Sequence, residues 1–177
     1  RTGRPSADLS TGVPQGIQTS LPTPHASPAQ FCRVQERELI YFMLKYGERT
    51  PFYQSDQTLA SYVIQDLEAD ELRFYNEDLW SLYLMLKQRV DEGLSTDSRE
   101  IVQLESPELC SLVVDLLSTK YELSSIWKGN DMESFFALDG NLSNAITTSL
   151  LLYKGKILHL TIVEAQEKLT QKNEELQ

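Results

Sequence analysis

The run from Asn141 to Gln177 carries the most distinctive pattern in the chain. It has no proline and one glycine, Gly155, so a single helix is predicted. At about 1.5 Å per residue that helix would be roughly 50 Å long. Its apolar residues fall into two successive stripes. Ile146, Leu150, Tyr153, Ile157 and Leu160 follow helical spacing. Leu158, Ile162, Ala165, Leu169 and Leu176 form another, turned from the first by roughly a third of a revolution. Such a helix is expected to meet two partners. Its first half closes the core of the preceding residues. Its second half faces a returning helix, another copy of the chain or another protein.

Upstream, the same periodicity predicts shorter helices. Glu36 to Tyr46 presents Leu39, Ile40, Met43 and Leu44 on one face, with Gly47 placed as a C-cap. Ser55 or Asp56 is expected to cap a second helix with Leu59, Tyr62, Val63 and Leu67 inward. Asn76 is expected to cap a third, with Glu77 and Asp78 in its first turn. Leu79, Tyr83, Leu86 and Val90 make its stripe, Trp80 and Leu84 widen it, and Gly93 ends it. Thr96-Asp97-Ser98 starts a short helix through Leu104. Ser106-Pro107-Glu108 is a stronger start signal, followed by the face Leu109, Leu112, Val113, Leu116 and Leu117. A short helix at Ser124–Lys128 and a polar connection complete the run, and Asp139 or Asn141 is expected to cap the long helix. No stretch alternates with period two long enough to propose a sheet. The predicted class is all-α: a compact bundle of five to six helices followed by one long projecting C-terminal helix.

Composition sets the organisation. Residues 1–30 hold five of the seven prolines with few large apolar residues. Residues 1–34 therefore read as a flexible linker, 35–140 as the bundle, and 141–177 as the long helix. The first residue is arginine, as expected of a segment from a longer protein. A net charge of −10 argues against direct nucleic-acid binding, which needs clustered lysine and arginine. No run approaches the roughly 18 apolar residues of a membrane span, and residues 1–30 hold no apolar signal-peptide core. Cys32 and Cys110 stand far apart, as expected of reduced thiols in a cytoplasmic protein.

Catalytic chemistry is hard to find in this sequence. His25 lies in the linker, and His159 is a lone helical histidine with no triad spacing around it. No nucleophile elbow, CxxC, HExxH or phosphate loop occurs. The segment from Asn130 to Gly140 lacks the ligand spacing of a calcium loop. Asp66, Glu68, Asp70 and Glu71 read as a solvated helix end rather than a metal cluster. Aromatic residues such as Tyr41, Phe42 and Phe74 are interleaved with acids and read as packing residues. No catalytic residue, metal or cofactor is expected. The expected partner face is the second stripe: Leu158, Ile162, Ala165 and Leu169, with Glu164 and Lys168 as its polar rim.

A family resemblance adds to this. Glu38-Leu39-Ile40-Tyr41-Phe42-Met43-Leu44-Lys45-Tyr46-Gly47 resembles the opening helix of the C-terminal domain of bacterial DnaG-type primase, in its Bacteroidetes form. The run from Tyr62-Val63-Ile64 through Leu72-Arg73-Phe74 to Leu79-Trp80 is similar to that domain's second and third helices. So is Leu109-Cys110-Ser111-Leu112-Val113-Val114-Asp115-Leu116-Leu117, followed by Tyr121, Leu123-Ser124 and Trp127. Leu150-Leu151-Leu152-Tyr153-Lys154 through Ile162 to Lys168-Leu169 resembles the long helix that leads into that domain's terminal hairpin. The resemblance spans roughly Gln35 to Gln177. It implies a domain that makes no RNA but docks primase on the N-terminal domains of the DnaB-type replicative helicase, coupling primer synthesis to unwinding. Polymerase acids and a zinc module belong to other domains of that family. Only Asn173–Gln177 follow the long helix, so the hairpin's returning helix is expected to be missing. Two alternatives stand beside this: a structural domain that dimerises through the long helix, and a helicase N-terminal-like helical domain.

Overall fold

The computed structural model describes residues 27–52, 55–104, 106–118 and 139–174. Among them lie six helices and no strand. These are α1 (Pro28–Tyr46), α2 (Leu59–Ala69), α3 (Glu77–Asp91), α4 (Ser98–Leu104), α5 (Pro107–Ser118) and α6 (Asp139–Glu174). The class is all-α with one long C-terminal helix, as the periodicity predicts. The expected helix at Ser124–Lys128 and most of the polar connection after it lie outside the described residues.

The centre of the bundle is α1. Leu39, Ile40, Tyr41, Phe42, Met43 and Leu44 are all buried, which makes the helix apolar nearly all round rather than on one face. It packs against α2, α3, α5 and α6. Each fully buried leucine or phenylalanine here contributes about 1.5–3 kcal/mol relative to exposure. The helix also starts earlier than expected, at Pro28 rather than near Gln35. Ser27 caps it by accepting a hydrogen bond from the Gln30 N–H at 3.2 Å, and Pro28 occupies the first turn. Residues 28–34 thus belong to the bundle, and Cys32 is fully buried.

Local signals set the other boundaries. The cap of α2 is Thr58, not Ser55 or Asp56, and its hydroxyl accepts from the Ser61 N–H at 3.2 Å. Asn76 caps α3 through the Leu79 N–H at 3.2 Å, as predicted. Leu82, not Leu84, completes the buried face of α3, and Leu84 is exposed. Ser106 caps α5 through the Leu109 N–H, and Val113 and Leu116 are fully buried. Gly47 ends α1 in right-handed geometry, with φ −56°. Its role is close approach: a Cβ there would collide with the Met43 carbonyl and the Thr96 hydroxyl.

The end of α2 is closed by paired bonds from the Leu72 N–H to the Leu67 carbonyl (2.9 Å) and from the Glu71 N–H to the Glu68 carbonyl (3.0 Å). This Schellman closure puts Glu71 in the left-handed region at φ 53°, where glycine is usual. A side chain at that angle costs about 1–2 kcal/mol. Glu71→Gly should therefore raise the unfolding free energy by about 1 kcal/mol, read from the denaturant midpoint. Leu116→Ala should lower it by about 2–5 kcal/mol, the usual cost of emptying a buried leucine site.

Candidate docking surface

Two faces of α6 have different surroundings. Toward its start, Leu142, Ala145, Ile146, Leu150 and Tyr153 are buried, and Ile157 and Leu160 are partly buried against the core. Ile146, Leu150, Tyr153, Ile157 and Leu160 are the first predicted stripe, and Leu142 and Ala145 extend it toward the start of the helix. Beyond them the predicted partner residues share one exposed surface. Leu158 is 61 %, Ile162 47 % and Leu169 63 % exposed, and Ala165 is exposed beside them. Glu164 and Lys168 are also exposed and pair with each other at 2.6 Å. All six residues named from the sequence therefore lie on the same distal half of one helix. That pair is an exposed i,i+4 contact, worth a few tenths of a kcal/mol.

Polar contacts that the sequence did not reveal hold this helix in place. The Lys154 ammonium lies 2.7 Å from both the Asp66 and the Asp70 carboxylates of α2. Two of the acids read as a solvated helix end are in fact its anchors. A third, Glu68, pairs with Lys87 at 3.1 Å. The Tyr153 hydroxyl donates to the Arg73 carbonyl at 2.8 Å. Lys156 donates to the Phe31 carbonyl and sits 4.7 Å from the centre of the Phe31 ring. His159 packs on the same ring at 5.8 Å, so this histidine has a packing contact. The middle of α6 thereby grips both the α2–α3 corner and the first turns of α1.

Two buried glutamates of α1 lie near this grip. The Glu36 carboxylate accepts from the backbone N–H groups of Tyr75 (2.6 Å) and Asn76 (3.2 Å), at the start of α3. A carboxylate is favoured there by the helix dipole. Burial nevertheless pushes the Glu36 carboxyl above its ordinary value, against the opposing pull of those N–H groups. Burial, then the neighbouring Glu36, raises the Cys32 thiol to about 11, so it stays protonated and unreactive. Glu38 is fully buried, and among the described residues neither of its oxygens has a partner in hydrogen-bond geometry. The hydroxyl of Ser149, on α6, is buried beside it, and among the described residues it too lacks a partner in hydrogen-bond geometry. Burial raises the Glu38 carboxyl, and Ser149 offsets this only in part. No local pattern marks these residues, because Glu36 and Glu38 alternate with Gln35 and Arg37 in a polar stretch.

Among the described residues, no three His, Cys, Asp or Glu side chains are grouped to hold a metal ion. No described helix is long and apolar enough to cross a membrane. The exposed half of α6 thus combines an apolar row, Leu158, Ile162 and Leu169, with the polar pair Glu164 and Lys168.

Residues 24–177 match the sequence profile of a family described as a domain of unknown function (DUF8430). No curated protein and no solved structure matches the chain.

Glu38 sets a test of the α1–α6 contact. Its native carboxyl holds a proton to higher pH than the unfolded one, whose ordinary value is 4.5. Its contribution to stability is therefore full below about 4.5 and is lost as pH rises through the raised native value. Glu38→Gln, which keeps the shape without the titration, should gain stability relative to the parent as pH increases from 4 to 8. Unfolding curves of both proteins across that range provide the check, and a pH-independent difference would remove Glu38 from the account.

Proposed function

The chain belongs to the DUF8430 family, and we propose that it is a non-catalytic docking module that holds a DNA primase on the replicative helicase. The observation that carries this reading is the exposed row Leu158, Ile162 and Leu169 on a helix whose other face is anchored in a bundle. Apolar residues in a row of this kind mark a protein-interaction site. The identity of the partner rests on the resemblance of residues Gln35 to Gln177 to the primase C-terminal domain. In this reading the module does no chemistry. It brings a primase to the N-terminal domains of the helicase, so that primers are laid down where the duplex is opened. A cytoplasmic site of action and a role in DNA replication follow from that partner.

Anchoring has a thermodynamic use here. A docking helix that is already ordered loses less conformational entropy when its partner arrives, and affinity gains by that difference. Self-association through the same row is the second reading, since an exposed apolar helix face also suits a second copy.

The test is calorimetric titration of the chain into the helicase N-terminal domains of the same organism. The parent should bind, and the double variant Ile162→Asp, Leu169→Asp should lose at least about tenfold in affinity. Its thermal unfolding should stay close to that of the parent, because the buried stripe of α6 is untouched. Absence of binding by the parent would sink the proposal. A concentration-dependent dimer of the parent, lost in the double variant, would favour self-association.

A further inference from the structure

The contact between α1 and the first half of α6 holds polar atoms that the bundle does not satisfy. Both oxygens of Glu38 and the hydroxyl of Ser149 are buried without a partner in hydrogen-bond geometry among the described residues. One turn earlier on the same side of α1, the side-chain oxygen of Gln35 is in the same position. An ionised carboxylate in such a place is strongly disfavoured. It regains water only when the contact around it opens.

No charge on the neighbouring helices offsets Glu38. On α6, Lys154 is held by Asp66 and Asp70 of α2, and Lys156 by the Phe31 carbonyl. On α3, Lys87 meets Glu68 and Asp91, and Arg89 meets Glu100. The N–H groups at the start of α3 go to Glu36. On α5, Asp115 faces Arg37. Only burial and the Ser149 hydroxyl act on the Glu38 carboxyl, in opposite directions.

The anchors of α6 lie on one side of this patch. Tyr153, Lys154 and Lys156 make the polar contacts to α1, to α2 and to the chain between α2 and α3. From Leu142 to Leu150, among the described residues, α6 has no ion pair and no well-formed hydrogen bond to another helix. Leu142, Ala145, Ile146 and Leu150 hold that stretch by apolar burial alone. The part of α6 with the fewest specific contacts is thus the part that covers the unpartnered carboxyl.

We propose that Glu38 is a proton-operated latch on α6: its protonated form keeps residues 142–150 closed on α1, and its ionisation lets that stretch open while α2 and α3 stay packed. The inference stands on the buried, unpartnered carboxyl and not on what the exposed row of α6 binds. Its direction follows from linkage. The closed form holds the proton to higher pH than the open one, whose ordinary value is 4.5. Closure therefore weakens as pH rises from about 4.5 through the raised value and is constant above it.

Native-state hydrogen exchange of the whole chain between pH 4 and 8, corrected for intrinsic exchange, tests this. Amides in residues 142–150 should open at least about tenfold more often than those in the buried turns of α2 and α3. Their opening constant should rise at least about fivefold across that pH range. Glu38→Gln should remove the rise, which separates Glu38 from Glu36 and from the acids around Lys154. Ser149→Ala should carry the rise to higher pH, because the hydroxyl no longer opposes burial. Exchange of residues 142–150 in step with α2 and α3 would make the opening global and overturn the latch. A rise that persists in Glu38→Gln would do the same. Should that variant fail to fold, the parent and Ser149→Ala decide: pH profiles that coincide overturn the inference.

Discussion

Burying the stretch of α1 from Glu38 to Leu44 on every side is the constraint the rest of the structure answers to. A helix whose Tyr41 and Phe42 are as hidden as its Leu39 and Met43 must be surrounded. Helices α2, α3, α5 and α6 each supply part of that cover. The same burial forces two glutamates out of water. Glu36 finds the start of α3, where two backbone N–H groups would otherwise lack partners within the helix. One contact thus satisfies a carboxylate and a helix terminus together, and it fixes where α3 begins relative to α1. Glu38 finds no such place, and the α1–α6 contact carries that cost.

The exposed half of α6 depends on this arrangement through its middle. Lys154, Tyr153 and Lys156 reach three separate pieces of backbone or carboxylate within four residues of sequence. Their individual worth is modest where they are partly exposed. Their joint effect is geometric: they fix the rotation of α6 about its own axis. That rotation decides which residues face the core and which remain outside. The division between buried Tyr153 and exposed Leu158 is therefore set by polar contacts as much as by apolar packing.

Much of this was legible in the sequence because it is local. Asn76 and Ser106 announce their helices, and the spacing of Leu109, Leu112, Val113 and Leu116 predicts a buried face. The two stripes of α6 also followed from periodicity alone. What escaped was either ambiguous punctuation or long-range pairing. Ser27-Pro28 closes a proline-rich run, so its capping role was hidden by its neighbours. Thr58 lost out to two other good caps three and two residues earlier. Leu82 and Leu84 are both leucines on one helix, and only the position of the neighbouring helices separates them. The partnership of Lys154 with Asp66 and Asp70 joins residues more than 80 positions apart, and no local pattern encodes it.

Seen mechanically, the grip around Lys156 makes the end of α6 a cantilever. Beyond Leu160, which still packs against the core, the helix extends by about 21 Å to Glu174, and a tilt of ten degrees at the root would carry its tip through about 4 Å over that length. A load applied along the free arm is resisted chiefly at Lys154 and Lys156, where torque is greatest. Force on the tip would be felt first by Phe31 at the beginning of α1 and by Asp66 at the end of α2. Two distant points of the chain are in this way connected to whatever pulls on the arm.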